Sequence, residues 1–215
     1  MASSTILKTL TATVIGAACL TAGSAVDAYA LTLTFDEIAT EGSISNGYGG
    51  LNWDNFYVLN STTFFGGAPN GYKFGTASPE KVAYNAFGAP ASVLKGSQPF
   101  TLNSAYLTAA WNDGLNILIE GIQGINTVYS TTVVVDTTSP TLFNFNWSGI
   151  DSLRFTSFGG VNAGYGGGGT QFALDNLTIN ATPIPTPALL PGLIGMGVMA
   201  LRKRKAEAAG QESEA

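Results

Sequence analysis

The sequence contains no histidine and a single cysteine. Without imidazole, no side chain titrates near neutrality unless its pKa is displaced, so ordinary general base catalysis lacks its usual agent. The one cysteine, Cys19, lies in an N-terminal apolar stretch, which leaves residues 31–181 with none. Disulfides and thiol chemistry are thereby excluded there, and stability has to come from a packed core. Charge is also scarce: Asp, Glu, Lys and Arg make up 11% of the chain. Residues 31–181 carry four cations (Lys73, Lys81, Lys95, Arg154) against ten acids, a net charge of −6. An acidic domain repels phosphate backbones, which argues against nucleic acid as a partner. The apolar run from Ala188 to Leu201 has 14 residues. As a helix it would span about 21 Å, short of a hydrocarbon core of about 30 Å.

Glycine (27 residues) and aromatics (11%) are well supplied. Together with Thr and Asn they favour strands and turns over helices. Leu31-Thr32-Leu33-Thr34-Phe35-Asp36 alternates, with Leu31, Leu33 and Phe35 on one face. Tyr48 to Leu59 reads as a turn feeding an aromatic strand. Further strands are expected at 72–75, 82–85, 100–111, 115–122, 127–136, 142–147, 153–158 and 172–179. Turn signals such as Pro69-Asn70-Gly71, Gly88-Ala89-Pro90 and Asn112-Asp113-Gly114 separate them. No segment holds a helical period. The expected fold is all-β, an antiparallel β-sandwich of jelly-roll type over residues 31–181.

The ends read differently. Residues 1–30 form a secretory signal peptide: Lys8 in the n-region, an apolar core from Leu10 to Leu20, and a small-residue box at Ala28-Tyr29-Ala30 that would free Leu31. Its implied partners are the secretion translocase and signal peptidase. Gly16-Ala17-Ala18 lacks the bulky residue that a lipoprotein site at Cys19 would want. Residues 182–187 are a proline-rich linker. The apolar segment 188–201 and the tail 202–215, opening on Arg202-Lys203-Arg204-Lys205, complete the chain. Lys and Arg resist transfer across a bilayer, so the cluster reads as a cytoplasmic stop. The sequence thus implies a signal helix at one end and a short hydrophobic helix at the other.

The order of proline motif, short apolar segment and basic cluster resembles the PEP-CTERM sorting signals of exported bacterial proteins. The closest form is the variant with Pro185-Thr186-Pro187-Ala188. Thr186 stands where the namesake motif has Glu, and residues 207–215 extend past the basic cluster. The resemblance covers about a tenth of the chain. It implies an exosortase-like enzyme as partner and a membrane-tethered stage in transit. It also implies a final place at the cell surface or in an exopolysaccharide matrix.

Phe172 and Leu174 alternate in one phase, Leu177 and Ile179 in the other. The side-chain period is two, so a β-bulge is expected at Asp175-Asn176. This closing strand, and the opening Thr34-Phe35-Asp36-Glu37, resemble the paired first and last strands of exported jelly-roll domains. Such pairing would bring Asp36 or Glu37 toward Asp175, a candidate Ca²⁺ site. The alternative is a strand-end charge at Asp36 and a bulge residue at Asp175 that bonds its own backbone. Trp53, Phe56, Tyr57, Trp111 and Trp147 are candidates to line a sugar platform, with core as the alternative; Trp53, flanked by Asn52, Asp54 and Asn55, is the better ligand candidate, while Trp111 and Trp147 read as core or core rim. The glycine run 159–169 reads as a flexible rim connection, with Tyr165 and the exposed amides as the alternative ligand contact. Asn60, Asn146 and Asn176 open glycosylation triplets that read as chance in a bacterial protein. No carboxylate pair stands in a catalytic motif. Two functions remain: a non-catalytic surface or matrix protein, and a carbohydrate-binding module.

Overall fold

A computed structural model describes residues 29–95 and 98–181. The expectations for Ala28, the sorting motif, the apolar segment and the basic tail fall outside the described residues. Within them, twelve strands and one short helix follow in order: β1 (Tyr29–Leu33), β2 (Gly42–Ser43), β3 (Leu51–Asp54), β4 (Phe56–Asn60), α1 (Gly71–Phe74), β5 (Lys81–Asn85), β6 (Ala91–Lys95), β7 (Phe100–Ala109), β8 (Asn112–Gln123), β9 (Asn126–Val135), β10 (Thr141–Ile150), β11 (Ser152–Asn162) and β12 (Phe172–Ala181). They form an antiparallel β-sandwich. The larger sheet runs β10-β7-β12-β5-β4-β2, with β1 also on β12; the smaller runs β3-β6-β11-β8-β9. No described helix is long and apolar enough to cross a membrane.

Between the sheets, Phe56 meets Phe155 and Phe172 edge-on, at centroid distances of 5.6 and 6.2 Å. Around them Leu102, Leu107, Ile117 and Ile119 are fully buried. The aromatic strand expected from Tyr48 to Leu59 divides at Asn55, whose φ is 54°. Residues before the break join the smaller sheet and residues after it the larger. Asn55 Nδ2 holds the crossing by donating to the carbonyls of Ala86 and Pro90, each at 3.1 Å. Phases change across the break, so Leu51 and Trp53, then Phe56 and Val58, all face the same core. The strand expected at 72–75 is instead the single helical turn α1, capped by Asn70, whose side chain accepts from Lys73 N at 3.1 Å.

The bulge at Asp175-Asn176 is present. The β12–β7 register shifts between Asp175 and Thr178, and Asn176 takes φ 46°. Its consequence is a fork on one edge of β12. Before the bulge, Ala173 and Leu174 pair with β5; after it, Leu177 to Ala181 pair with β1. Asp175 fills the fork, fully buried. It accepts hydrogen bonds from Ala77 N, Ser78 N, Ser78 Oγ and Asn176 N, at 2.7 to 2.8 Å. Burial pushes its pKa up against the pull of those four donors. Ala30 and Leu31, the residues flanking the expected cleavage point, lie inside β1 opposite Asn180 and Ile179. A cut there leaves Leu31 to Leu33 still paired.

Trp53 is core, not platform. Asn52 and Asp54 point to solvent, while Leu51 and Trp53, on the opposite face of the same strand, are buried. Its polar neighbours therefore say nothing about its own surroundings. Trp53 is 7% exposed, packs edge-on against Phe35 and Phe56, and donates from Nε1 to Tyr48 O at 3.0 Å. Tyr48 in turn clasps the turn after β1: its hydroxyl accepts from Phe35 N at 3.0 Å and donates to Glu37 Oε1 at 2.7 Å.

Two predictions follow from these contacts. A Cβ on Gly71 would lie 1.7 Å from the Ala109 carbonyl oxygen. Gly71→Ala should therefore destabilise the fold by about 3 kcal/mol, the upper end of ordinary overpacking, in denaturant titration. The second concerns the Tyr48–Glu37 clasp. Burial pushes Glu37 up, but hydrogen bonds from Tyr48, its own backbone and Thr34, with the charge of Lys81, hold it below its usual 4.5. Its contribution is thus present above pH 4.5 and lost as pH falls. Tyr48 is raised above its usual 10.0 by burial and by Glu37, so its contribution is present below pH 10 and lost as pH rises beyond. Tyr48→Phe should cost about 1 kcal/mol in mid-range. The difference from the parent should shrink below pH 4.5 and above pH 10 in unfolding curves recorded across pH.

Candidate functional site

The larger sheet is apolar on its outer face as well. Leu59, Val82, Ala110 and Ala173 project away from the sandwich core and form a second buried cluster with Tyr72 and Trp111. Apolar residues on both faces of a strand need two covers. The second cover is irregular chain: the segment 61–79 carrying α1, and the loop 163–171. Gly71 N donates to Ala110 O at 2.9 Å, which seats α1 on the end of β7.

The loop 163–171 is built, not slack. Residues 159–162 of the glycine run belong to β11. Beyond them Ala163 N donates to Trp111 O at 2.8 Å, and Asn162 Nδ2 donates to Gly167 O at 2.8 Å. A Cβ on Gly167 would stand 2.4 Å from the Trp111 ring. Only glycine lets this backbone lie flat on the indole. Tyr165 props the loop from beneath, packed on Phe74 at 6.0 Å with its hydroxyl 3.5 Å from Thr137 Oγ1. It is not among the residues that line the opening between the two covers.

That opening is a cleft of about 350 Å³. Its walls carry Tyr57, Phe64, Tyr72, Tyr84, Phe87 and Trp111, with Gly167, Gly168 and Gln171 along the loop side. A continuous run of rings, Phe87, Tyr57, Tyr84, Tyr72 and Trp111, lines it and continues beyond it to Phe65. Successive centroids are 6.2, 6.0, 5.4, 5.7 and 5.7 Å apart. Among the described residues, no charged side chain lines it. Burial raises Tyr72 and Tyr84, each pushed further by a neighbouring tyrosine, so both hydroxyls stay protonated at neutral pH. The two ends of the run are strained. Phe65 and Phe87 sit at φ 55° and 59°, in the left-handed region that a bulky residue avoids. Both rings are exposed, Phe65 by 50% and Phe87 by 83%.

The calcium expectation pairs Asp36 or Glu37 with Asp175 and backbone carbonyls. Asp36 accepts from Lys81 N at 2.9 Å, Glu37 from Tyr48 and Thr34, and Asp175 from the four donors in the fork. Each carboxylate thus has its own protein partners. Among the described residues, no group of three or more acids is placed to hold a metal ion. Trp111 is buried at the cleft base. Trp147 is half-buried at the sandwich flank, stacked on Tyr129 at 5.3 Å. There a second groove, of about 370 Å³, opens between β9 and β10 beside Phe143 and Phe145. Of the cleft's lining, sequence reading named Tyr57 and Trp111 as platform candidates and missed Phe64, Tyr72, Tyr84, Phe87 and Gln171. The available signal was a phenylalanine inside a turn, at Phe65-Gly66-Gly67 and Phe87-Gly88-Ala89-Pro90.

No family model matches this chain, and no curated protein matches it. Solved structures with some likeness include TmCBM61 in complex with beta-1,4-galactotriose (9% identity, TM-score 0.32, covering 65% of this chain and 98% of that one). The K1 cleaved adhesin domain of Lys-gingipain from Porphyromonas gingivalis W83 is another (9% identity, TM-score 0.40, 72% and 99%). A third is a Family 16 carbohydrate binding module-2 (12% identity, TM-score 0.28, 60% and 90%). With TM-scores below 0.5, none of the three bears on what this chain binds.

Proposed function

We propose that this chain is an exported, non-catalytic protein that binds carbohydrate in the aromatic cleft on the outer face of its larger sheet. The observation that carries the reading is Phe87, a ring that lines the cleft and stays 83% exposed on left-handed backbone. Left-handed backbone costs of order 1–3 kcal/mol per residue and persists where surrounding structure imposes it, typically at binding sites. A solvent-exposed ring held at that cost gains nothing from burial. It gains if the ring face stacks on the apolar face of a pyranose. Hydroxyls of Tyr72 and Tyr84 supply polar partners, and the cleft walls carry no carboxylate for hydrolysis.

Two experiments address this reading. Phe87→Gly relieves the backbone and removes the ring. It should raise stability by about 1 kcal/mol, the lower end of the strain it relieves. Affinity for oligosaccharides that bind the parent should fall about tenfold, the worth of one aromatic contact, in calorimetric titration. A variant that binds sugar as well as the parent refutes the cleft as the site. The delivery half of the proposal rests on the leader and on Pro185-Thr186-Pro187-Ala188 with Arg202 to Lys205. Intact mass measured on protein from envelope and medium should end near Pro187, with the start at Leu31. A mass that retains Ala215 would mean a tethered protein without tail removal.

A further inference from the structure

We propose that this chain forms a reversible two-fold dimer in which the open edges of both sheets, β9 and β10, pair with the same strands of a second copy. The inference is independent of the glycan reading, and none of its residues lines the cleft. A strand at a sheet edge offers unpaired N–H and C=O groups to any second strand. Proteins blunt such edges by shortness, charge or proline. Among the described residues, the edges differ in this respect. β2 has two residues, β3 four and β1 five, and β3 ends on the charged Asp54. β9 and β10 end the two sheets on the opposite side. They have ten residues each and contain neither a charge nor a proline. On them Val128, Val134 and Leu142 are exposed. The two edges lie together: Thr131 and Val133 of β9 and Phe143 of β10 line one groove, and Tyr129 stacks on Trp147.

Charge and size point to a second copy as the occupant. The domain carries a net charge of −6, so copies repel except where they meet over an uncharged strip. β9 and β10 are such a strip. Together they approach the about 20–30 residues that each side of a standard interface contributes. Register shifts at Gly121/Ile122 beside β9 and after Asn144 in β10 leave 129–135 and 141–145 as the straight stretches. Their midpoints, Thr132 and Phe143, lie at one level of the shared groove. One two-fold axis perpendicular to the sheets therefore passes both and continues each sheet antiparallel. Thr132 faces its own copy across the axis, and so does Phe143, which gives a Thr–Thr and an aromatic cross-strand pair. The contact is isologous and closes at two, because the remaining edges are short.

The test is sedimentation velocity of the full chain, 22.2 kDa, over a concentration series. The parent should pass reversibly from monomer to dimer. Thr132 is exposed, so Thr132→Lys and Thr132→Glu should keep the parent's melting temperature. Each sets like charges opposite one another and should weaken association about fivefold, the upper end for a cross-strand pair. An equal mixture of the two should restore the dimer, because Lys then faces Glu. Asn52→Lys, on the opposite edge strand β3, should leave the dimer intact. A parent that stays monomeric up to millimolar concentration overturns the inference, as do species larger than a dimer. A dimer indifferent to Thr132→Lys, or a mixture no tighter than either variant alone, shows association by another surface and overturns it too.

Discussion

The organisation of this molecule depends on one constraint: its larger sheet is apolar on both faces. An antiparallel sheet usually turns one face to water. Here β4, β5 and β12 present Phe56, Val58 and Phe172 to the sandwich core, and Leu59, Val82 and Ala173 to the opposite side. The smaller sheet covers the first face. Nothing regular covers the second, so irregular chain has to do it. Irregular chain approaches a sheet closely only where side chains are absent, which accounts for Gly71 against the Ala109 carbonyl and Gly167 against the Trp111 ring. The cleft is the part of the outer face that this cover leaves open.

Left-handed phenylalanines occur in the cover, at Phe65 and Phe87, and also in the core, at the fully buried Phe35. The inter-sheet core is filled with edge-on aromatic pairs and fully buried aliphatics. On the proposed function, stability and recognition occupy opposite faces of one sheet.

Asp175 solves a separate problem. Two strands, β1 and β5, use the same edge of β12, and a bulge has to part them. At the parting, one carboxylate accepts from the backbone N–H groups of Ala77, Ser78 and Asn176 and from the Ser78 hydroxyl. The acid that sequence reading set beside a cation is an anchor for backbone amides. Tyr48 plays the corresponding part at the other end of β1, where it joins Phe35, Glu37 and Trp53.

By itself the sequence determined the longer strands, though not β2 or β6 and not the helical turn at Gly71–Phe74, together with the phase change at Asp175-Asn176, and the export and sorting segments as an expectation. Each of these is local: alternation has a period of two, a bulge shows as a change of phase, and leader signals are contiguous. Trp53 could not be placed by its neighbours, because adjacent residues on a strand face opposite ways. Nor could the break at Asn55, since its two halves each alternate and only their sheets differ. The cleft was out of reach for a stronger reason. Tyr57, Tyr72, Tyr84, Phe87, Trp111 and Gln171 come from separate segments and meet only when β4, β5, β7 and β12 lie side by side under two loops. A strand buried on both faces shows no contrast between them, so which aromatics face the core and which face the cleft is decided by the packing of the whole sheet.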